Sequence, residues 1–362
     1  MDLVLGVDAG GTSTRAALFT LDGRAVRRGH AAGANPVTLG MERAAAQLTA
    51  AVGDALAGVS PSQVKGVVAG VAGSPEVCAA LTERVFRRVL PLGVAERVPV
   101  RAVGDIVTAF ASGTSEPSGS VLISGTGAIA AKIIDHRAVA EADGYGWLLG
   151  DEGSAYWLGH AAARTTIRHL AARGSAGPPP NGQRSVGPLP DGGRADGGRA
   201  DRAGGPGFGG GLVGLVVRRL LPEGVGGDPV SRLAAAVHAR PPLALAELAP
   251  LVSEAAAAGD PLAMEIVREA AERLVATLRT VQAAGPVTSE PSVSGPAASE
   301  PVVLAGSVLT AEGPVQDAVR GLLGSAAVAG DAAGAAAWLA ARPFLDQRES
   351  RARHQHFTRP AR

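Results

Sequence analysis

The stretch LVLGVDAGGTSTRAALFTL, residues 3–21, carries the strongest signal for the fold. An apolar run from Leu3 to Val7 leads into Asp8 and the pair Gly10–Gly11, and a second β-compatible run covers Thr14 to Leu21. This pattern predicts a strand, a glycine turn and a second strand. Such a turn exposes backbone N–H groups, which can hold phosphate oxygens without interference from side chains.

The opening pattern recurs further along the chain. VLISGTGAIAAKII, residues 121–134, is again a strand, a glycine turn and a strand, and VVLAGS, residues 302–307, is a strand that enters a third glycine turn. In a chain with 50 glycines, each turn alone is weak evidence, since a tight turn without a ligand explains it as well. The recurrence at the scale of a domain indicates an internal duplication.

The segments between the turns alternate between helix and strand periodicity. Two strands are predicted over Val64–Val71 and Val98–Val103, and the second ends at Gly104–Asp105. Predicted helices cover Glu42–Leu56, Pro75–Val89, Ser154–Ala172, Pro261–Ala283, Gly313–Leu323 and Gly334–Ala341. This order describes an α/β layered protein with Asp105 at the carboxyl end of a strand.

Three segments fall outside this periodicity. Residues 174–211 contain 14 glycines and 6 prolines and include a tandem GGRADGGRAD, and residues 284–301 repeat SEP. Both are predicted to be disordered surface insertions, because such a composition cannot form a packed core. Residues 348–362 hold five arginines against one glutamate, which favours a solvated, disordered end.

Composition excludes several classes of protein. The charge is balanced, with 34 basic and 33 acidic residues, so a dedicated nucleic-acid-binding role is disfavoured. The two lysines, Lys65 and Lys132, precede Gly66 and Ile133, which excludes a Walker A loop. The single cysteine, Cys78, is predicted to be a buried thiol. The N-terminus has no basic n-region and no apolar run reaches the length of a membrane span, so a cytoplasmic, soluble protein is expected.

The segment GYGWLLGDEGSAYW, residues 144–157, concentrates both tyrosines and two of the three tryptophans of the chain. One interpretation is structural, with Ser154 capping the next helix and the aromatic rings packed inside. The other is functional, with Asp151 and Glu152 accepting hydrogen bonds from sugar hydroxyls while an aromatic ring covers an apolar sugar face. The residues alone leave both interpretations open.

Six segments in this order carry a family resemblance: VDAGGTSTRAALF, GD followed by IVTAFASG, VLISGTGAIAAKI, GYGWLLGDEGSAYW, GDPLAMEIV and VLAGSVLTAEG. Together they resemble the N-acetylglucosamine kinases within the BadF/BadG/BcrA/BcrD ATPase-like family of the actin/hexokinase superfamily. The resemblance covers about residues 2–341, apart from the two insertions. It implies an α/β fold of two ribonuclease-H-like domains around a nucleotide cleft.

The resemblance also implies boundaries for these domains. The first domain is expected over residues 1–117, with the helix at about 334–341 packing back on it. The second is expected over residues 118–333, and residues 342–362 form a tail. A homodimer is expected by analogy.

The resemblance assigns roles residue by residue. Asp105 matches the catalytic base, and Asp8 matches the residue that orders magnesium through water. The implied nucleotide contacts come from the three glycine turns, namely Gly10, Gly11, Thr12, Gly125, Thr126, Gly306 and Ser307. The implied sugar contacts are Asn35, Thr126, Gly127, Tyr145, Gly146 and Asp151. The implied cofactors are ATP and Mg²⁺, and the implied reaction phosphorylates the 6-hydroxyl of N-acetylglucosamine.

Two departures from the family pattern and three alternatives accompany this interpretation. Tyr145 stands where a Gly-Trp-Gly motif is expected, and the short connection from Leu323 to Gly330 predicts a lost edge strand. Glucosamine or N-acetylmuramic acid would use the same phosphate machinery. An ATPase activator protein would need two cysteine ligands per chain for an iron–sulfur cluster, which disfavours it. A sensor that binds sugar or nucleotide without turnover is the remaining alternative.

Overall fold

A computed structural model describes residues 1–91, 93–94, 96–175, 210–224, 227–284 and 300–359. Within them the strands are β1 (Leu3–Ala9), β2 (Ser13–Thr20), β3 (Ala25–Ala32), β4 (Val64–Val71), β5 (Val100–Gly104), β6 (Gly119–Ser124), β7 (Ala128–Ile134), β8 (Arg137–Asp143), β9 (Val302–Ala305) and β10 (Ala327–Val328). The helices are α1 (Pro36–Leu39), α2 (Met41–Leu56), α3 (Pro75–Val89), α4 (Asp105–Gly113), α5 (Ala155–Ser175), α6 (Leu212–Leu220), α7 (Pro229–His238), α8 (Ala249–Ala257), α9 (Pro261–Ala283), α10 (Ser307–Thr310), α11 (Pro314–Leu323), α12 (Ala332–Ala341) and α13 (Gln347–Thr358).

The described residues form two compact units. One comprises Met1–Ser154 and Ala271–Arg362 and contains all ten strands; the other, Ala155–Ala270, is helical. Residues 117 and 118 lie between the strands of the first sheet and those of the second, and both sheets belong to the first unit. A domain boundary at this position stays a prediction. The predicted insertions at 174–211 and 284–301 lie mostly outside the described residues.

The two sheets of the first unit share one topology. The first has the order β3-β2-β1-β4-β5 and the second β10-β9-β6-β7-β8. In each, three antiparallel strands are followed by two strands that run parallel to the first of the three. The duplication indicated by the repeated glycine turns is therefore present in the fold.

The first sheet is covered by helices on both faces. Leu5 and Val7 of β1 point into a core shared with α2 and α3, while Val4 points into a second core that includes Trp338 of α12. Because successive side chains alternate between faces, Gly6 and Asp8 lie on the same face as Val4. Asp8 therefore points to the side of the sheet that α12 covers.

Gly6 lets α12 approach β1 at backbone distance. A Cβ atom at this position would lie 2.0 Å from the Ala333 carbonyl oxygen and 2.1 Å from the Ala337 backbone nitrogen. We expect Gly6→Ala to lower the free energy of unfolding by about 2–4 kcal/mol, because the helix would have to move off the sheet. Urea denaturation measures this loss.

Gly53→Ala is the matched control for this change. Gly53 lies in α2, and no atom lies within 4 Å of a Cβ atom placed there. The control should be neutral or stabilise the protein by about 0.5–1 kcal/mol, since alanine is the better helix former. Equal unfolding free energies for Gly6→Ala and the wild type would contradict the close approach of α12.

Most predicted elements are present, but two strands were missed. β3 and β8 are the edge strands beside the antiparallel hairpins, and the sequence analysis passed over both. Each has only one hydrogen-bonded neighbour and carries exposed polar residues, so neither shows the apolar pattern of the strands inside the sheets. The lost edge strand predicted after Leu323 was also wrong: β10 is present and pairs in parallel with β9 over two residues.

The prediction of a disordered tail was wrong as well. Residues 347–358 form α13, which begins with a capping box between Asp346 and Glu349. Its buried side consists of Ser350, His354, Phe357 and Thr358. The Phe357 ring centroid lies 5.1 Å from that of Phe19 on β2. The high proportion of arginine led to the prediction of a solvated end, but the capping box and the buried Phe357 ring together order this segment.

Among the described helices, none combines the length and the hydropathy that a membrane span requires.

Candidate active site

Two carboxylates meet at one edge of the first sheet. β1, β4 and β5 run in parallel, so their carboxyl ends share that edge. Asp8 lies near the end of β1, and Asp105 follows β5 directly as the first residue of α4. Ligands of α/β sheets bind outside the carboxyl ends of such strands.

The environment raises the pKa of both carboxyl groups towards neutral pH. Burial, and after it the charges of the Asp105 and Asp331 carboxyls, raise the pKa of Asp8 to about 7, although Arg15 acts in the opposite direction. Burial also raises the pKa of Asp105 to about 6, against the backbone N–H of Ile106, which favours the charged form. Strongly shifted carboxyls at a sheet edge are typical of functional sites.

The first glycine turn borders this edge and the segment that carries Asn35. The Ala34 backbone N–H donates to the Gly10 carbonyl at 3.0 Å. Asn35 caps α1, its Oδ1 accepting from the Val37 N–H at 2.9 Å, so its amide N–H groups remain as donors for a ligand. A side chain at Gly11 would meet no atom within 4 Å, which means that the turn faces open space.

The second and third glycine turns lie against each other. Gly306 has φ +81°, and a Cβ atom there would lie 2.3 Å from the Ser124 carbonyl oxygen and 2.9 Å from the Gly125 nitrogen. Only glycine allows this backbone conformation together with this approach. The structure thus brings Gly125, Gly306 and Ser307 together, as a shared nucleotide site would require.

Asp151 is positioned beneath the second turn. Its Oδ1 accepts from the Ala128 backbone N–H at 3.0 Å, its own backbone adopts φ 59°, and it is buried. Burial raises the pKa of this carboxyl, and the Asp143 carboxylate raises it further. Gly127 lies directly beside it, whereas the Thr126 side chain is exposed.

Asp143 organises the loop that carries Tyr145 and Gly146. Its Oδ1 accepts from the N–H of Gly144 at 2.8 Å and of Asp151 at 2.7 Å, and its Oδ2 accepts from Glu152 at 2.8 Å. The tip of this loop is solvent-exposed, with 68% of Tyr145 accessible. The sequence analysis missed Asp143, although an aspartate directly before Gly144-x-Gly146 is a recognisable signal.

Two further acidic residues, Asp331 and Glu152, act on or lie near the residues described above. Asp331 precedes α12, forms a 2.5 Å ion pair with Arg28 and acts electrostatically on Asp8; the sequence analysis did not single it out. Glu152, one of the acids considered for sugar hydroxyls, forms an ion pair with Arg273. Its carboxylate is therefore engaged by an arginine.

The predicted residues fall into two groups, one beside each sheet. Beside the first sheet lie Asp8, the turn at residues 10–12, Asn35 and Asp105. Beside the second lie the turns at 125–127 and 306–307, Asp151 and the loop with Tyr145 and Gly146. A residue of the second sheet acts on Asp105, because the charge of Glu141 on β8 also raises the pKa of Asp105. The roles assigned to these residues stay predictions.

The donor set fits magnesium held mainly by phosphate and water. No cluster of three metal-ligating side chains occurs among the described residues. Asp8 offers a carboxylate beside an open glycine turn, and a single carboxylate with phosphate oxygens and waters is a common magnesium environment. ATP and magnesium are therefore compatible with the residues present.

Removing the charge of Asp143 should loosen the loop. Asp143→Asn would leave an amide N–H₂ group facing backbone N–H donors, so we expect about 1–3 kcal/mol lower stability and faster hydrogen exchange of residues 144–152. Asp135→Asn in the β7–β8 turn is the control, since it too has a positive φ, which asparagine tolerates. Unchanged exchange in Asp143→Asn would show that the carboxylate does not hold the loop.

The fold and these residues define an α/β protein with two ribonuclease-H-like sheets of the actin/hexokinase type. The sequence matches the BadF/BadG/BcrA/BcrD ATPase family over residues 5–330, and the chain belongs to that family.

Three relatives are similar to this chain. An N-acetylmuramic acid/N-acetylglucosamine kinase of Clostridium acetobutylicum is 28% identical over 177 residues, which span 48% of this chain and 56% of the relative. The structure of a candidate N-acetylglucosamine kinase from Chromobacterium violaceum has a TM-score of 0.62 at 23% identity, covering 94% of this chain and 99% of the other. A candidate N-acetylglucosamine kinase from Porphyromonas gingivalis has a TM-score of 0.58 at 17% identity, covering 98% and 99%. The two structures show the fold.

Proposed function

We propose that this protein is a cytoplasmic, ATP-dependent sugar kinase that phosphorylates the 6-hydroxyl of N-acetylglucosamine. The observation that carries the proposal is the buried Asp105 carboxyl, with a pKa of about 6, at the carboxyl edge where Asp8 and an open glycine turn also lie. Family membership and the names of the relatives support ATP and an amino-sugar as the substrates.

The backbone and Asp8 account for phosphate binding. The N–H groups of Gly10, Gly11 and Thr12 would bind phosphate oxygens, and the paired turns at 125–127 and 306–307 would bind phosphate and adenosine. Asp8 would orient the water shell of magnesium. Bound magnesium neutralises charge on the transferred phosphoryl group.

Asp105 would act as the general base. At neutral pH a carboxyl with a pKa of about 6 is mostly ionised, so it can accept the proton of the 6-hydroxyl. The hydroxyl oxygen then forms its bond to the γ-phosphorus while the bond to the ADP oxygen breaks, and the proton stays on Asp105. Burial keeps its pKa close to the working pH, which is the condition for efficient proton transfer.

The sugar would be held from both groups of residues. Asn35 would donate from its amide, and Asp151, Thr126 and Gly127 would contact hydroxyls beneath the second turn. Tyr145 and Gly146 lie in a loop held by Asp143, where an exposed aromatic ring can cover the apolar face of a sugar.

Product analysis tests the position of transfer. The protein, MgATP and N-acetylglucosamine are incubated, and the ³¹P–¹H coupling of the product is measured by NMR. Coupling of phosphorus to the two protons on C6 is the expected result. Coupling to the anomeric proton instead would contradict the 6-hydroxyl as acceptor.

N-acetylmuramic acid is the second candidate acceptor, because the relative from Clostridium acetobutylicum is named for both sugars. The rates with N-acetylglucosamine, N-acetylmuramic acid, glucosamine and glucose separate these possibilities. An activator role is disfavoured, since the single cysteine, Cys78, is buried with its thiol donating to the Val71 carbonyl at 3.1 Å. Burial raises the pKa of that thiol to about 11, which opposes thiolate ligation.

A further inference from the structure

A concave site lies in the first unit, away from the residues described above. It is a pocket of about 460 Å³, a size that suits a small organic molecule. It is bounded by β5, the segment after α4, the end of α12 and the start of α13. None of the residues assigned to sugar or nucleotide lines it.

The pocket is positively charged. Three arginines line it, namely Arg101, Arg342 and Arg351, and none of its described lining residues is acidic. Arg351 forms a 3.1 Å ion pair with Glu116. Within the described part of the chain, no carboxylate lies within ion-pair distance of Arg101 or Arg342. The Asp135 carboxylate acts electrostatically on Arg342 from outside the lining, but neither Arg101 nor Arg342 forms an ion pair with a described residue, so both guanidinium groups keep N–H donors for an anion.

The wall behind the arginines is rigid and apolar. The Arg342 guanidinium lies 5.3 Å from the centroid of the Trp338 ring, and that ring is fully buried. The Trp338 Nε1 donates to the Ser350 carbonyl at 2.8 Å, which fixes the indole. Arginine held over an aromatic face is preorganised, so less side-chain entropy is lost when it binds a ligand.

The charges of these arginines also lower the pKa of a neighbouring histidine, His136. His136 is buried with its ring 5.6 Å from the Trp338 ring, and neither ring nitrogen has a hydrogen-bond partner among the described residues. Burial, and after it the charges of Arg342 and Arg101, lower the pKa of His136 to about 4. At neutral pH His136 is therefore uncharged, and the positive charge of the region is that of the arginines.

The position of the pocket separates it from the candidate active site. Arg101 lies four residues before Asp105 on β5, which corresponds to roughly 13 Å along a strand. Asp331, whose charge acts on Asp8, precedes α12, and Arg342 follows the same helix at its other end. The pocket and the active-site edge thus lie at opposite ends of two shared elements.

We propose that this pocket binds a phosphomonoester dianion, with Arg101 and Arg342 as its principal ligands. Guanidinium groups match the geometry of phosphate oxygens through paired N–H donors, and Ser115 and Gln347 in the lining supply further polar groups. Among the apolar lining residues, Pro117, Pro343 and Leu345 keep exposed surface, which can contact an uncharged organic body.

Isothermal titration calorimetry of the full chain tests this site. Glucose 6-phosphate and inorganic phosphate are titrated separately in the presence of saturating MgADP and N-acetylglucosamine, so that the candidate active site is occupied. Tighter binding of glucose 6-phosphate than of inorganic phosphate would support the proposal, and equal or tighter binding of inorganic phosphate would overturn the organic phosphomonoester as the ligand. Absence of binding by both would overturn the proposal.

Two variants assign the binding to the pocket. Arg101→Gln and Arg342→Gln should each weaken the affinity by about 10- to 100-fold, because each removes a charge-assisted hydrogen-bond donor. Arg87→Gln on the exposed face of α3 is the matched control and should leave the affinity unchanged. Thermal denaturation without ligand verifies that each variant is folded. Wild-type affinity in both folded pocket variants would overturn the assignment.

This proposal does not rest on the proposed function, since the titration measures binding without turnover. If the protein binds glucose 6-phosphate through Arg342 but releases no ADP, the pocket proposal stands and the proposed kinase activity is overturned. If it releases ADP with an amino-sugar but does not bind glucose 6-phosphate, the kinase activity stands and the pocket proposal is overturned.

Discussion

Asp105→Asn is expected to lower kcat by about 10²- to 10⁴-fold, the range that a general base contributes. Asparagine preserves the size of the side chain and the start of α4 but cannot accept the proton of the attacking hydroxyl. The affinity for the sugar should change only a few-fold, because the base acts in the transition state. Steady-state kinetics with MgATP and N-acetylglucosamine measures both quantities.

The pH profile gives an independent readout of the same residue. The pKa of Asp8 is raised to about 7 and that of Asp105 to about 6, so kcat/KM of the wild type should begin to fall below pH 7 and fall more steeply below pH 6, where Asp105 becomes protonated as well. Asp54→Asn, at an exposed position near the end of α2, is the control and should leave the rate and the profile unchanged. A variant Asp105→Asn with near-wild-type kcat would remove Asp105 from the role of base.

Asp8→Asn is expected to abolish MgATP-dependent turnover while making the free protein more stable. The pKa of Asp8 rises from its ordinary value of 3.8 to about 7 on folding, because burial and two carboxyl neighbours disfavour its charge. Between these values the folded state binds more protons than the unfolded state, so the carboxyl costs stability increasingly as the pH rises from about 4 to 7. Neutral asparagine removes that cost, which is of the order of 2–4 kcal/mol above pH 7.

Thermal denaturation across the pH range tests this expectation. The Tm of Asp8→Asn should exceed that of the wild type at pH 8 and approach it at pH 4. Asp2→Asn is the control, since Asp2 is exposed beside Lys65 at the opposite end of β1. A Tm of Asp8→Asn below that of the wild type at pH 8 would contradict the unfavourable burial of this carboxylate.

The glycine turns were predictable because their signal is local. Each strand, glycine turn and second strand lies within about twenty residues of sequence. The two halves of the fold and the position of Asp105 after β5 could therefore be predicted from sequence patterns and the family resemblance. The pairing of Gly125 with Gly306 joins residues far apart in the chain, and it became visible only when β6 and β9 were placed side by side.

The elements that escaped prediction have non-local causes. β3 and β8 form because a neighbouring strand offers them hydrogen bonds, and their own polar sequences resemble loops. α13 is ordered by burial of Phe357 against β2, more than 300 residues earlier in the chain. Asp143 and Asp331 act through backbone groups and charges that the sequence does not place near them, which is why they were not recognised as part of the site.

The central claim is that ADP is released only when an amino-sugar is phosphorylated. A coupled ADP-release assay with MgATP measures this directly, comparing saturating N-acetylglucosamine with N-acetylmuramic acid, glucosamine, glucose and a blank without sugar. Turnover with N-acetylglucosamine should be many times faster than in the blank. Equal release in the blank would point to an ATPase, and no release with any sugar would point to a sensor; either result would contradict the proposed kinase.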